Sequence, residues 1–230
     1  MKTISNSIIV AAVAASTLSL SASGAVIASW SMTTAVATGT VGVSYTYGVA
    51  DSGGVTAGSS LSSSHAAAAT AYSSPSGNGS TYSLSSNNWA IGDYYQVSVS
   101  TTGYQDVSIS WDQTRSSTGP ASFELVASTD GGASWSTLIA SYSVVQAGLT
   151  GTGTTSWNAL TNQPGFFTTT SAAAGASDSA SVLFRIRSLV TTSAAGTNRI
   201  DNVIVSGSMV PAPGAVALLG LAGLISRRRR

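Results

Sequence analysis

Apolar residues recur at every second position through much of this chain, and a period of two is satisfied only by extended backbone with one face turned to a core. Tyr95, Val97 and Val99 share one face of Tyr94–Ser100, and Val107, Ile109 and Trp111 share one face of Asp106–Asp112, joined through Thr101-Thr102-Gly103-Tyr104. Ser122–Thr129 groups Phe123, Leu125 and Ala127; Ser181–Leu189 groups Val182, Phe184 and Ile186 and turns Arg185 and Arg187 outward. Val41, Val43, Tyr45, Tyr47 and Val49 alternate with Gly42, Ser44, Thr46 and Gly48, the pattern of a half-buried strand. Further strands are expected at Val26–Met32, Trp135–Ala140, Tyr142–Val145, Phe166–Thr169 and Arg199–Ser206. About ten short strands with turn-rich gaps and no amphipathic helix predict an all-β fold, a single antiparallel β-sandwich of jelly-roll type.

Between Asp51 and Ser80 the periodicity gives way to Gly, Ser and Ala, including Ser73-Ser74-Pro75-Ser76-Gly77-Asn78-Gly79. Neither side of this stretch offers enough strands for a core of its own, so it reads as a long low-complexity loop within one domain. Only 7% of the residues are charged, so solubility rests on hydroxyls and backbone. From Val26 to Met209 four arginines face eight acids, a net charge of −4, which disfavours a nucleic-acid partner. No cysteine is present, which excludes disulfides, thiol chemistry and cysteine-type zinc sites. His65 is the one histidine and sits in the run Ser-Ser-His-Ala-Ala-Ala-Ala, where it reads as neither ligand nor base.

The two ends differ from the body. Met1–Ala25 has the order of a secretory signal helix: Lys2, an apolar Ile8–Ala15, then small residues ending Ser23-Gly24-Ala25. Passage through the Sec translocon and cutting by signal peptidase between Ala25 and Val26 would follow. At the other end Val210-Pro211-Ala212-Pro213-Gly214 precedes an apolar helix, Ala215–Ile225, and Arg227, Arg228, Arg229 and Arg230. Such a helix rises only about 16 Å against a hydrocarbon layer of about 30 Å, and a flanking arginine cluster holds its end on the cytoplasmic side.

This order of proline motif, short apolar helix and terminal arginines resembles the PEP-CTERM sorting signal of bacterial surface proteins, with Ala212 where the usual motif carries Glu. The resemblance implies an exosortase-like membrane enzyme that recognises residues 210–214 and removes the tail. A transient anchor in the inner membrane would then give way to display on the cell surface or in an exopolysaccharide matrix. An ordinary retained membrane anchor is the alternative. The chain thus divides into a signal peptide (1–25), a β-sandwich domain (26–209) and a sorting segment (210–230).

Two local patterns stand out in the body. Ser128, Asp130, Gly132 and Trp135 occupy the positions of an Asp-box, S-x-D-x-G-x-x-W; a single copy in a chain of this length predicts a structural hairpin turn, with Asp accepting turn N–H groups and Trp covering the loop. Asn198-Arg199-Ile200-Asp201-Asn202-Val203-Ile204-Val205 resembles the closing strand of jelly-roll carbohydrate-binding modules. That resemblance makes Asp201 a candidate ligand for a structural Ca²⁺; the other reading pairs Asp201 with Arg199 or Arg185 at the sheet rim. No other cofactor is expected.

The function expected first is a non-catalytic structural or adhesive surface protein. The alternative is a carbohydrate-binding module, with Trp89, Tyr94, Tyr104 and Trp157 as candidate sugar-stacking rings. A secreted glycoside hydrolase ranks last: glycoside hydrolysis uses two carboxylates across a cleft, and the single glutamate, Glu124, falls on the outer face opposite Phe123 and Leu125. A Ser-His-Asp hydrolase would need His65 held rigidly, which its neighbours in sequence do not suggest.

Overall fold

A computed structural model describes residues 24–210. The strands form two antiparallel sheets, each six-stranded. The first runs β10 (Thr168–Ala172), β7 (Tyr104–Arg115), β12 (Asn198–Met209), β5 (Leu84–Ser86) and β4 (Tyr72–Ser73), with β1 (Ala25–Trp30) beside the second half of β12. The second runs β2 (Ser44–Gly48), β3 (Ser60–Ser64), β6 (Tyr94–Val99), β11 (Val182–Ser188), β8 (Ser122–Ser128) and β9 (Ser136–Ser143). The helical element is α1 (Pro164–Phe167), and among the described residues no helix is long and apolar enough to cross a membrane.

The alternation determines the packing. Val107, Ile109 and Trp111 of β7 and Val203 and Val205 of β12 meet Val97 and Val99 of β6, Leu125 of β8 and Phe184 and Ile186 of β11 in one continuous core. Each fully buried side chain of this size contributes about 1.5–3 kcal/mol of transfer free energy, so the long central strands carry most of the stability. Trp89, Phe123, Tyr95 and His65 extend the core as a chain of edge-on rings with centroids 4.4–5.4 Å apart.

Three expectations are corrected. The segment 51–80 contains β3 and β4, and β3 lies between β2 and β6 in the second sheet. Leu61 and Ser63 point inward, as does His65 just beyond the strand, so the period of two is kept while only one apolar residue announces it. The Val41–Val49 pattern also shrinks to β2, a sheet edge: Tyr45 and Tyr47 lean on the core, whereas Val41 and Val49 are 64% and 59% exposed. An edge strand covers the core only where its neighbour does, so alternation beyond it has nothing to face. Finally, α1, opened by Pro164, takes in Phe166 and Phe167, where a strand was expected, and pairing with β7 begins only at Thr168.

Of the two ends, Ala25 and Val26 open β1 opposite Gly207 and Ser206, and Val210 donates its N–H to the Gly103 carbonyl at 2.8 Å. Residues 1–23, Pro211, Ala212, Pro213, Gly214 and Arg227–Arg230 lie outside the described residues.

Candidate functional site

Four strands of the first sheet place Ser73, Ser85, Arg199 and Thr114 in one row, each the cross-strand partner of the next. The row forms the floor of a hollow of about 460 Å³ that opens to solvent, with Arg115, Ser116, Ser117, Thr197, Gln146 and Ala147 as its far wall and Pro75 at its near one. A second hollow, about 430 Å³, shares Ser73 and Pro75 with the first and continues past β4 to Val36, Thr38 and Gly39. Both are lined mainly by hydroxyls, backbone and small apolar groups, and neither is lined by an acid.

Both guanidiniums of the first hollow are held in place. Arg115 donates from Nε to the Val144 carbonyl (3.1 Å) and from Nη1 to those of Ser116 and Ser117 (3.1 Å each), tying the β7–β8 turn to the segment after β9. Arg199 donates from Nη1 to the Ser76 carbonyl at 3.3 Å and lies over the Trp157 ring, 5.0 Å from its centroid. Burial pulls the Arg199 guanidinium below its ordinary value, against the opposing charge of Asp201. Ion pairs among the described residues are His65–Asp93 and Arg187–Glu124, so neither Arg115 nor Arg199 has a carboxylate partner.

Asp201 and Asp112 face each other across β12 and β7, both buried. Like charges directly opposite repel, and here hydrogen bonds offset the repulsion. Asp201 Oδ2 accepts from the Asn78 N–H (2.7 Å) and the Ser80 hydroxyl (2.6 Å), and its Oδ1 from the Asn202 N–H (2.8 Å). Asp112 Oδ2 accepts from the side-chain amides of Asn78 (2.9 Å) and Asn202 (2.8 Å), and its Oδ1 from the Thr168 hydroxyl. The loop comes this close because residue 77 is glycine: a Cβ there would collide with the Tyr82 backbone carbonyl as well as with Asp201 Oδ2 and Ser80 Oγ.

This nest corrects both readings of Asp201. Its oxygens point at N–H and O–H donors, and backbone N–H groups cannot turn to coordinate a cation, so the surroundings do not fit a Ca²⁺ that needs six to eight oxygens. Neither arginine pairs with it. Burial pushes the Asp201 carboxyl up to about 6, with the Asp112 charge adding to the shift and the three donors opposing it.

The candidate sugar-stacking rings are not brought together. Trp89 is 1% exposed and belongs to the core, with its N–H donated to the Ser86 carbonyl, so it presents no face to a sugar. Trp157 is 4% exposed and packs edge-on against Phe167, 5.5 Å between centroids, as a prop beneath Arg199. Tyr104 stands at the start of β7 beside Gly54. Tyr94 lies on the outer face of the second sheet, where it and Trp135 sandwich Arg185 at 4.0 and 4.2 Å. The rings flank a cation of the protein itself.

Trp135 closes the Asp-box turn between β8 and β9. The Gly132 N–H donates to Ser128 Oγ (2.9 Å), the Ser134 N–H to Asp130 Oδ1 (2.9 Å), and the Trp135 ring N–H to the Gly132 carbonyl (3.0 Å). Gly132 holds φ at +93°, where a side chain would be strained. The Ser134 hydroxyl and N–H, then the Ser128 hydroxyl, hold the Asp130 carboxyl below its usual range.

His65 is the larger surprise. Its Nδ1 lies 3.1 Å from Asp93 Oδ2, and its Nε2 lies 3.0 Å from Ser63 Oγ and 3.1 Å from Ser86 Oγ. Asp93 is fixed in turn by the N–H groups of Ala66 (2.8 Å) and Ala90 (2.7 Å). The ring is therefore rigidly held, contrary to the reading of its sequence neighbours. Yet Ser63, Ser86, His65 and Asp93 are all at most 5% exposed and line neither hollow. Burial lowers the His65 value, with Asp93 opposing.

No family model matches this sequence, and no curated protein does. Solved structures with some likeness include the K2 cleaved adhesin domain of Lys-gingipain, at a TM-score of 0.35 and 12% identity over 56% of this chain and 73% of that one. Another is the N-terminal cellulose-binding domain of Cellulomonas fimi β-1,4-glucanase C, at a TM-score of 0.29 and 14% identity over 74% of this chain and 90% of that one. Neither is close enough to carry a residue role or a ligand across.

The residues that line the hollows were not legible as a site in the sequence. Ser73, Ser85, Thr114 and Arg199 come from four separate segments, and their only shared sign is an outward position on a strand. Strand pairing alone makes them neighbours.

Proposed function

We propose that this protein is exported, sorted through its C-terminal segment and displayed outside the cell as a non-catalytic, adhesive β-sandwich of jelly-roll type that associates with a matrix polysaccharide. The observation that carries the binding part of this reading is the pair of hollows meeting at Ser73 and Pro75. A small molecule would use one; two adjoining open hollows rich in hydroxyls suit successive units of a polymer. The signal-like start and the proline, apolar and arginine order of the tail support export and sorting. The non-catalytic part draws support from His65, Asp93, Asp112 and Asp201, which are all buried and bonded to protein donors or acceptors away from the hollows.

Affinity electrophoresis of the full chain in gels containing extracellular polysaccharide tests the binding. Ser73 is exposed on the shared wall, so Ser73→Trp fills both hollows without entering the core. Retardation of the wild type and its loss in Ser73→Trp, with thermal unfolding unchanged, is the expected result; equal retardation of the two proteins places binding elsewhere. For the sorting part, intact-mass measurement of surface material should find the chain ending near Pro213, and a species that still carries Arg230 counts against processing.

A further inference from the structure

We propose that the hollow between Arg115 and Arg199 seats the anionic group of an acidic sugar, a carboxylate or a sulfate ester, rather than a neutral one. This rests on the polysaccharide reading above. From Val26 to Met209 the chain carries a net charge of −4 and has only four arginines, yet two of them line this one hollow and no acid does.

Their geometry is already that of a receptor. Three carbonyls fix Arg115, and the Ser76 carbonyl and the Trp157 ring fix Arg199. Rotamer freedom is therefore lost in folding and not at binding, which favours affinity. Hydrogen bonds to protein use Nε and Nη1 of Arg115 and Nη1 of Arg199. That leaves Nη2 of the first, and Nε and Nη2 of the second, which form one side of a planar fork that matches a carboxylate or sulfate.

A half-buried cation with no carboxylate partner is an unfavourable state that an anion relieves. Asp201 shares the outward face with Arg199 two residues away, but its oxygens are engaged by Asn78, Ser80 and Asn202. The surrounding hydroxyls of Ser73, Ser85, Ser116, Ser117 and Thr197 donate and accept, as sugar hydroxyls require, so the fit is to an acidic sugar and not to a bare ion.

Calorimetric titration of the full chain compares short galacturonate oligomers, their neutral methyl esters, sulfated oligosaccharides and inorganic sulfate. Binding of the galacturonate or the sulfated oligomer should exceed that of the neutral ester by roughly tenfold and fall with added salt. The two acidic arms identify which group is seated. Arg199→Gln should remove that preference, Arg199→Lys should keep part of it, and Arg185→Gln on the other sheet should leave it intact, with each variant still folded at the assay temperature by circular dichroism. If the neutral ester binds as tightly as the acid and Ser73→Trp abolishes both, the groove stands and the anion inference falls. If no acidic oligomer binds, or only inorganic sulfate does, the inference is likewise overturned; if acidic oligomers bind Ser73→Trp unchanged, the groove itself is wrong.

Discussion

The two sheets each carry two arginines and set them in different surroundings. On the second sheet Arg187 is paired with Glu124 at 2.7 Å, and Arg185 donates to Gln96 at 2.8 Å while lying between Tyr94 and Trp135. That face is open, and one of its two arginines is paired with an acid. On the first sheet loops cover part of the outer face, two acids are buried beneath them, and Arg115 and Arg199 stand at the edge of that cover with no acid of their own. A charge answered by a neighbour serves the fold. Cations already held by carbonyls, in a hollow that no acid lines, suit an anion that arrives later.

This contrast breaks most readily at the acids. Asp112→Ala strips the acceptor from Asn78, Asn202 and Thr168 at once, and leaving buried donors unmet should cost about 3–4 kcal/mol in chemical denaturation. Glu124→Ala on the open sheet removes a partly exposed ion pair and should cost under about 1 kcal/mol. Equal losses would mean that the loops over the first sheet contribute no burial of consequence.

A smaller difference is expected for the two tryptophans that flank arginines. Trp157→Ala removes a buried ring and should cost about 3 kcal/mol, together with the support beneath Arg199, whereas Trp135→Ala, on a half-exposed turn, should cost about 1 kcal/mol. If Trp157→Ala also weakens binding of an acidic oligomer while Trp135→Ala does not, the contrast extends from stability to recognition.

The last contrast is in the direction of the pH dependence. Asp201 is raised to about 6 in the fold, so its contribution to stability is full below its unfolded value near 3.8 and is lost as pH rises through about 6. His65 is lowered, so its contribution is full above its unfolded value near 6.5 and is lost as pH falls below it. The two slopes oppose each other in the wild type. Asp201→Asn should therefore gain stability as pH rises through 6.5, and His65→Gln should lose stability as pH rises through about 6, both read as shifts of the unfolding midpoint. A slope of the same sign in both variants would show that neither nest controls the titration.

Legibility followed side-chain chemistry more than length. Tyr95, Val97, Val99, Val107, Ile109, Trp111, Phe184 and Ile186 announced their strands because large apolar groups recur at a period of two, and all eight are buried. In and just after β3 the inward positions hold Leu61, Ser63 and His65, and the burial of the last two depends on partners at Ser86 and Asp93, so the same geometry left a single apolar trace. The Asp-box turn was legible because Ser128, Asp130, Gly132 and Trp135 bond to one another over a few residues. The Asp201 nest was not, since its donors come from residues more than 120 positions away along the chain as well as from the next residue.

By itself, then, the sequence determined a two-sided strand pattern, a turn that closes on its own residues, and a charge count too low for ion pairs to shape the body. The tertiary structure alone decided which polar groups satisfy one another and which are left facing solvent. Periodicity is a local property that sterics impose within a few residues, whereas hydrogen-bond partnership depends on which strands become neighbours, and only the folded sheets bring Ser73, Ser85, Arg199 and Thr114 into one row.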